Sequence, residues 1–132
     1  MLKFQLKSGK KLEIDIAPIE TGLNLYRAVL IECKGANLDL SVAQEDTILT
    51  MLMKNKDACL NVLSSEAVLD AIKDCCAKVV YDKQRFTMDI FNNVETRKDF
   101  FPTMMIVAIE NLKPFFEEPH TILNALETQF LA

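Results

Sequence analysis

Residues 1–16 read Met1-Leu2-Lys3-Phe4-Gln5-Leu6-Lys7-Ser8-Gly9-Lys10-Lys11-Leu12-Glu13-Ile14-Asp15-Ile16. Leu2, Phe4 and Leu6 alternate with Lys3, Gln5 and Lys7, the period of two that sends successive side chains to opposite faces of a strand. After Ser8-Gly9-Lys10 the alternation resumes, with Leu12, Ile14 and Ile16 against Lys11, Glu13 and Asp15. Two such runs around a glycine-containing turn predict a β-hairpin. A lone ribbon is marginal in water, so the rest of the chain must cover its apolar face. Lys3, Lys7, Lys10 and Lys11 read as a solvated edge that resists strand addition.

Beyond residue 16 the periodicity is helical. Pro18 suits a first helical turn, and Leu23, Tyr26, Leu30 and Cys33, widened by Leu25 and Val29, recur at steps of three and four before Gly35. A linker over 36–40 leads to Ser41 as a cap, then to an apolar helix with Ile48, Leu49, Met51, Leu52 and Met53, then to a short helical piece over 58–63. Ser65 opens a better-defined helix striped by Val68, Ile72, Cys75 and Val79. Residues 81–93 read as irregular. Asn92, with Glu95 three residues on, has capping-box spacing, and Pro102 predicts a break after Phe100. Met104–Leu112 is strongly apolar, and Thr121–Phe130 carries Ile122, Leu123, Ala125, Leu126 and Phe130 at amphipathic spacing. The expected fold is α+β and mostly helical: one domain over 1–132, a hairpin over 1–16, then five or six helices.

Composition bounds the function. Half of the 132 residues are hydrophobic and 26% are charged, with 3 Gly and 4 Pro, which excludes a disordered or collagen-like chain. The longest apolar run, Met104–Ile109, has six residues against the roughly 18 of a spanning helix. The N-terminus lacks the apolar stretch of a signal peptide. A soluble cytoplasmic protein, with no membrane association, is expected. The net charge is −4, and a nucleic-acid surface would want a basic domain with interleaved aromatics, so no nucleic-acid partner is expected.

No catalytic constellation stands out. Cys33, Cys59, Cys75 and Cys76 lack a C-x-x-C pair and read as reduced core thiols. His120 is the single histidine and follows Pro119, with neither a cleft nor a partner identified for acid–base work. Gly9, Gly22 and Gly35 are isolated, so no phosphate loop is present. No enzyme, cofactor or metal is expected. Attention falls on surface instead. Met104–Ile109 is apolar all round, so it is buried on every side or covered by another chain. Phe100-Phe101 and Phe115-Phe116 flank it, and Met51, Met53, Met104 and Met105 suit adaptable binding faces.

Three stretches carry a family resemblance: Lys3-Phe4-Gln5-Leu6-Lys7-Ser8-Gly9-Lys10-Lys11-Leu12-Glu13-Ile14, Leu25-Tyr26-Arg27-Ala28-Val29-Leu30, and Tyr81-Asp82-Lys83 through Glu95-Thr96-Arg97-Lys98-Asp99-Phe100-Phe101 to Glu110-Asn111-Leu112-Lys113-Pro114-Phe115-Phe116. Together they resemble the tail assembly chaperones of long-tailed bacteriophages and prophages, particularly of Gram-positive hosts. Lys98 and Lys113 stand where that pattern has glycine, and Pro102 interrupts a helix expected to be continuous in relatives. The resemblance implies a protein of the infected host cytoplasm that coats the tape measure protein, keeps it soluble, brings tail tube subunits to it and is absent from the mature virion. Many members of that family are made in a short form and a longer frameshifted one; if this chain is the short form, an extension would continue from Phe130-Leu131-Ala132. A holdase for a helical client needs apolar stripes, and repeated binding along one client favours self-association. Met104, Met105, Phe115, Phe116, Leu126 and Phe130 are the candidate contacts for client or neighbouring subunits. The alternative is a permanent structural component of a phage tail or head.

Overall fold

A computed structural model describes residues 1–35, 61–62, 64–116 and 121–132. The expected cap at Ser41, the helix with Met51 and Met53, Cys59 and His120 lie outside the described residues. The chain is α+β and mostly helical, with the antiparallel hairpin first.

Strands β1 (Leu2–Gln5) and β2 (Lys11–Ile14) pair antiparallel, with Leu2 opposite Ile14 and Gln5 opposite Lys11. The turn is closed by Leu6 N–H donating to Lys10 O and Gly9 N–H to Leu6 O, both over 2.9 Å. Gly9 has φ +91°, a conformation open to glycine at little cost. Leu6, Leu12 and Ile14 are fully buried, whereas Leu2 and Ile16 at the ends of the alternation are exposed. The predicted pattern holds where the sheet is covered from behind.

The sheet has four strands in the order β1-β2-β3-β4. The segment 81–93, read as irregular, begins with a second hairpin formed by β3 (Val80–Tyr81) and β4 (Gln84–Arg85). β3 joins the first hairpin through Leu12 opposite Tyr81 and Glu13 opposite Val80. Its two turn residues, Asp82 at φ +47° and Lys83 at φ +67°, both sit in left-handed conformations. A two-residue connection of that kind matches the twist of the flanking strands.

Helix α1 (Ile19–Gly35) starts immediately after Pro18, whose carbonyl accepts the Gly22 N–H over 3.0 Å. Pro18 thus precedes the first helical residue rather than occupying the first turn. The inward face is rotated from the predicted stripe. Leu25 is fully buried and Ala28 and Val29 pack on the core, while Tyr26 is only half-buried.

Ser65 caps α2 (Glu66–Asp74) through its hydroxyl, which accepts the Val68 N–H. Val68, Ile72, Cys75 and Val79 are all buried, but the helix stops at Asp74 and Val79 leads into β3.

A 3₁₀ turn over Met88–Asn92 precedes α3 (Val94–Arg97). Its cap is Asn93 rather than Asn92: the Asn93 side-chain oxygen accepts from Glu95 N–H over 2.8 Å and Thr96 N–H over 3.3 Å. The break falls at Lys98-Asp99, before Pro102, and α4 (Phe100–Leu112) restarts with Pro102 in its first turn. A missing N–H costs little there. Residues 103–111 of α4 are consecutively buried, so this helix runs through the middle of the molecule. A short 3₁₀ turn, Lys113–Phe115, and α5 (Thr121–Thr128) complete the order.

The C-terminus returns to the sheet. Leu131 bridges antiparallel to Leu6, and Ala132 N–H donates to Gln5 O over 2.9 Å. Cys75 and Cys76 are buried free thiols, and burial raises them to about 11 and about 12 respectively. The thiolate fraction at neutral pH is therefore very small.

Candidate functional site

The six residues singled out in the sequence divide into two groups. Met104, Met105 and Leu126 are 1%, 5% and 7% exposed, so they fill this chain's own core and offer no open face to a partner. Their apolar pattern allowed either burial within this chain or cover by another, and an all-apolar helix that this chain's own elements enclose is core. Phe115, Phe116 and Phe130 are half-buried.

Phe115 is held by α1. Its ring stacks on Tyr26 with centroids 5.3 Å apart and an interplanar angle of 29°, and Phe116 meets the same tyrosine edge-on at 5.9 Å. Phe115 also lies over Gly22, where a Cβ would stand 3.4 Å from Phe115 Cε2. Gly22 lies in the first turn of α1, and the ring rests on it at a distance that leaves room for ordinary contact with a Cβ.

Beside this aromatic contact lies an apolar groove of about 140 Å³ lined by Ile16, Ala17, Pro18, Ile19, Gly22, Asn111, Pro114 and Phe115. Ile16 and Ile19 are 51% and 70% exposed at its edge. The groove floor is polar at one point only. Asn111 is buried, accepts the Ala17 N–H at Oδ1 over 2.8 Å and donates from Nδ2 to Val107 O over 2.8 Å. Its Oδ1 and one of its Nδ2 hydrogens are engaged internally, and the remaining side chains of the lining present hydrocarbon to an incoming ligand. Strand alternation predicts Ile16 on the inward face, and no periodicity in the sequence assigns a face to Ile19. The signal available for both was their position flanking Pro18, where strand and helix periods meet and neither dictates burial.

A charged cluster lies nearby, at the end of α4. Lys113 Nζ is 2.9 Å from Glu110 Oε1 and 3.5 Å from Glu127 Oε1. Both carboxylates are more than nine-tenths buried. Glu127 Oε2 is buried without a hydrogen-bond partner. Burial, followed by the adjacent Glu110 carboxyl, pushes Glu127 up to about 7, against the pull of Lys113. One lysine thus serves two buried acids.

Among the described residues there is no group of three His, Cys, Asp or Glu side chains able to hold a metal, and no helix long and apolar enough to cross a membrane. What the Ile16–Ile19–Phe115 face can do chemically is bury another apolar surface. No protein-family model, no curated protein and no solved structure matches the chain.

Proposed function

We propose that the chain is a tail assembly chaperone of a long-tailed bacteriophage or prophage. In the host cytoplasm it binds the tape measure protein, keeps that long chain soluble and helps recruit tail tube subunits. The observation that carries this reading is the sequence resemblance over residues 3–14, 25–30 and 81–116. The exposed Ile16 and Ile19 beside the Phe115 groove support it physically. A contiguous apolar face that this chain leaves uncovered suits helix-in-groove binding of a client. Copies bound in succession along one client favour self-association.

The test is co-expression with the tape measure protein of the same phage. The client is expected to become soluble and to co-purify. Ile19→Asp places a charge at a site 70% exposed and is expected to leave the fold intact while cutting client recovery severalfold. A client that stays insoluble with the wild-type chain overturns the reading. So does mass spectrometry finding the chain in many copies in purified virions, which would make it a permanent structural component.

A further inference from the structure

We propose that α5 is an internal placeholder on a helix-receiving face of α4, and that an amphipathic client helix with two leucine-type residues three apart, followed directly by an uncharged amide, displaces it. The face is defined by what already sits on it. Leu123 and Leu126 of α5 are buried in the core at 1% and 7% exposure, and Glu127 follows at 5%. The apolar pair fits. The glutamate does not.

Glu127 meets a site that already holds a carboxylate. From α4 it faces Glu110, from the following turn Lys113, and Glu127 is the only charged side chain in its own helix, Thr121–Thr128. Lys113 lies closer to Glu110, at 2.9 Å, than to Glu127, at 3.5 Å, and Glu127 Oε2 is buried with no partner. A neutral amide at that position would keep hydrogen-bonding capacity toward Glu110 and Lys113 without bringing a second buried negative charge. An incoming helix of that pattern meets Glu110 and Lys113 without the charge that α5 brings there above about pH 7.

The placeholder is also short. An eight-residue helix has little stability of its own and depends on its seat. Beyond it the arm is held by the Leu6–Leu131 bridge, by Ala132 N–H on Gln5 O and by Phe130 and Leu131, which pack half-buried against the core. Exchange with a helix from outside requires those contacts to release and Leu123 and Leu126 to leave the core, where the incoming pair takes their place. The client's identity rests on the chaperone reading; the exchange itself does not.

The probe is a fluorescein-labelled peptide with the sequence of Thr121–Ala132 carrying Glu127→Gln, titrated into the full chain and followed by anisotropy. Glu127 in the chain loses its proton near pH 7, so the arm opens more readily as pH rises. Peptide affinity for the wild-type chain is expected to increase about tenfold from pH 6 to pH 8. A full chain with Glu127→Gln keeps its arm seated and is expected to bind the peptide more weakly at pH 8, with no such slope. Hydrogen exchange must show α5 amides losing protection as peptide binds. Absent or non-saturable binding, equal binding to both chains, or binding that leaves α5 protected overturns the proposal. Arm exchange between copies, seen as dimers without peptide, overturns the choice of occupant. The co-expression experiment does not depend on any of these results, so either reading can fail without the other.

Discussion

Tyr81 Oη donates to Asp99 Oδ2 over 2.6 Å, and Ser8 Oγ donates to the same oxygen over 2.7 Å. Tyr81 is 1% and Asp99 4% exposed. One carboxylate thus joins the turn of the first hairpin, the second hairpin and the start of α4, three segments spread over more than ninety residues. The acid cannot be left unpaired at that depth without a large penalty. Tyr81→Phe is expected to lower stability by about 1–3 kcal/mol in urea unfolding. Asp99→Ala strands two hydroxyls, and its effect should be strongly non-additive with Tyr81→Phe in a double-mutant cycle. Additive effects would show that the hydrogen bond contributes nothing.

Asn111 ties the segment before α1 to α4 by accepting the Ala17 N–H. Asn111→Leu leaves that N–H without its partner and is expected to cost about 1–3 kcal/mol. Hydrogen exchange at Ala17 should accelerate by more than at any amide of β1. Unchanged exchange would contradict the contact.

Gly22 sits inside α1 with ordinary backbone geometry, and an added methyl would touch Phe115 at 3.4 and 3.6 Å. That is normal contact, so Gly22→Ala is expected to raise stability by about 0.5–1 kcal/mol through helix propensity. Gly22→Leu collides with the ring and should lower the melting temperature, with the Tyr26–Phe115 stacking lost.

Lys83 occupies φ +67° in the second hairpin turn, where glycine carries no steric cost. Lys83→Gly is expected to stabilise the chain by about 0.5–1 kcal/mol. Calorimetry showing destabilisation would argue against the hairpin. Lys10, paired with Asp82 over 3.2 Å at an exposed site, should matter little.

Glu127 has a pKa raised from 4.5 to about 7 in the folded chain. The folded state therefore holds a proton that the unfolded state has released. Its contribution is fully present below about pH 4.5, declines as pH rises and is lost above about pH 7. Glu127→Gln is expected to flatten that decline and to raise stability at pH 8 by about 1–2 kcal/mol. Parallel urea titrations at pH 5 and pH 8 would check it; an unchanged slope would mean that Glu127 is not the titrating group.

The first hairpin, the Ser65 cap and the apolar centre of α4 were legible because each rests on local physics: alternation, a hydroxyl within reach of a free N–H, a run of hydrocarbon. The second hairpin was not. Asp82-Lys83 lacks the glycine that usually announces such a turn, and its strands have two residues each; β3 is held by pairing with β2, not by its own pattern. The face of α1 was misjudged because apolar residues cover much of its circumference, so periodicity could not say that Leu25 rather than Tyr26 points inward. The candidate contacts were mixed for the same reason: hydrophobicity identifies what leaves water, not whether its cover comes from this chain or another.

From sequence alone came the α+β class, the order of the main elements and the absence of any recognised catalytic motif, because spacing and composition act over a few residues at a time. Tertiary structure decided the rest. It enclosed Met104, Met105 and Leu126, left Ile16 and Ile19 outside, gathered Ser8, Tyr81 and Asp99 around one oxygen, and set Glu127 beside Glu110 with one lysine between them. Burial and charge pairing are properties of neighbours brought from distant parts of the chain, and only the packed chain places them together.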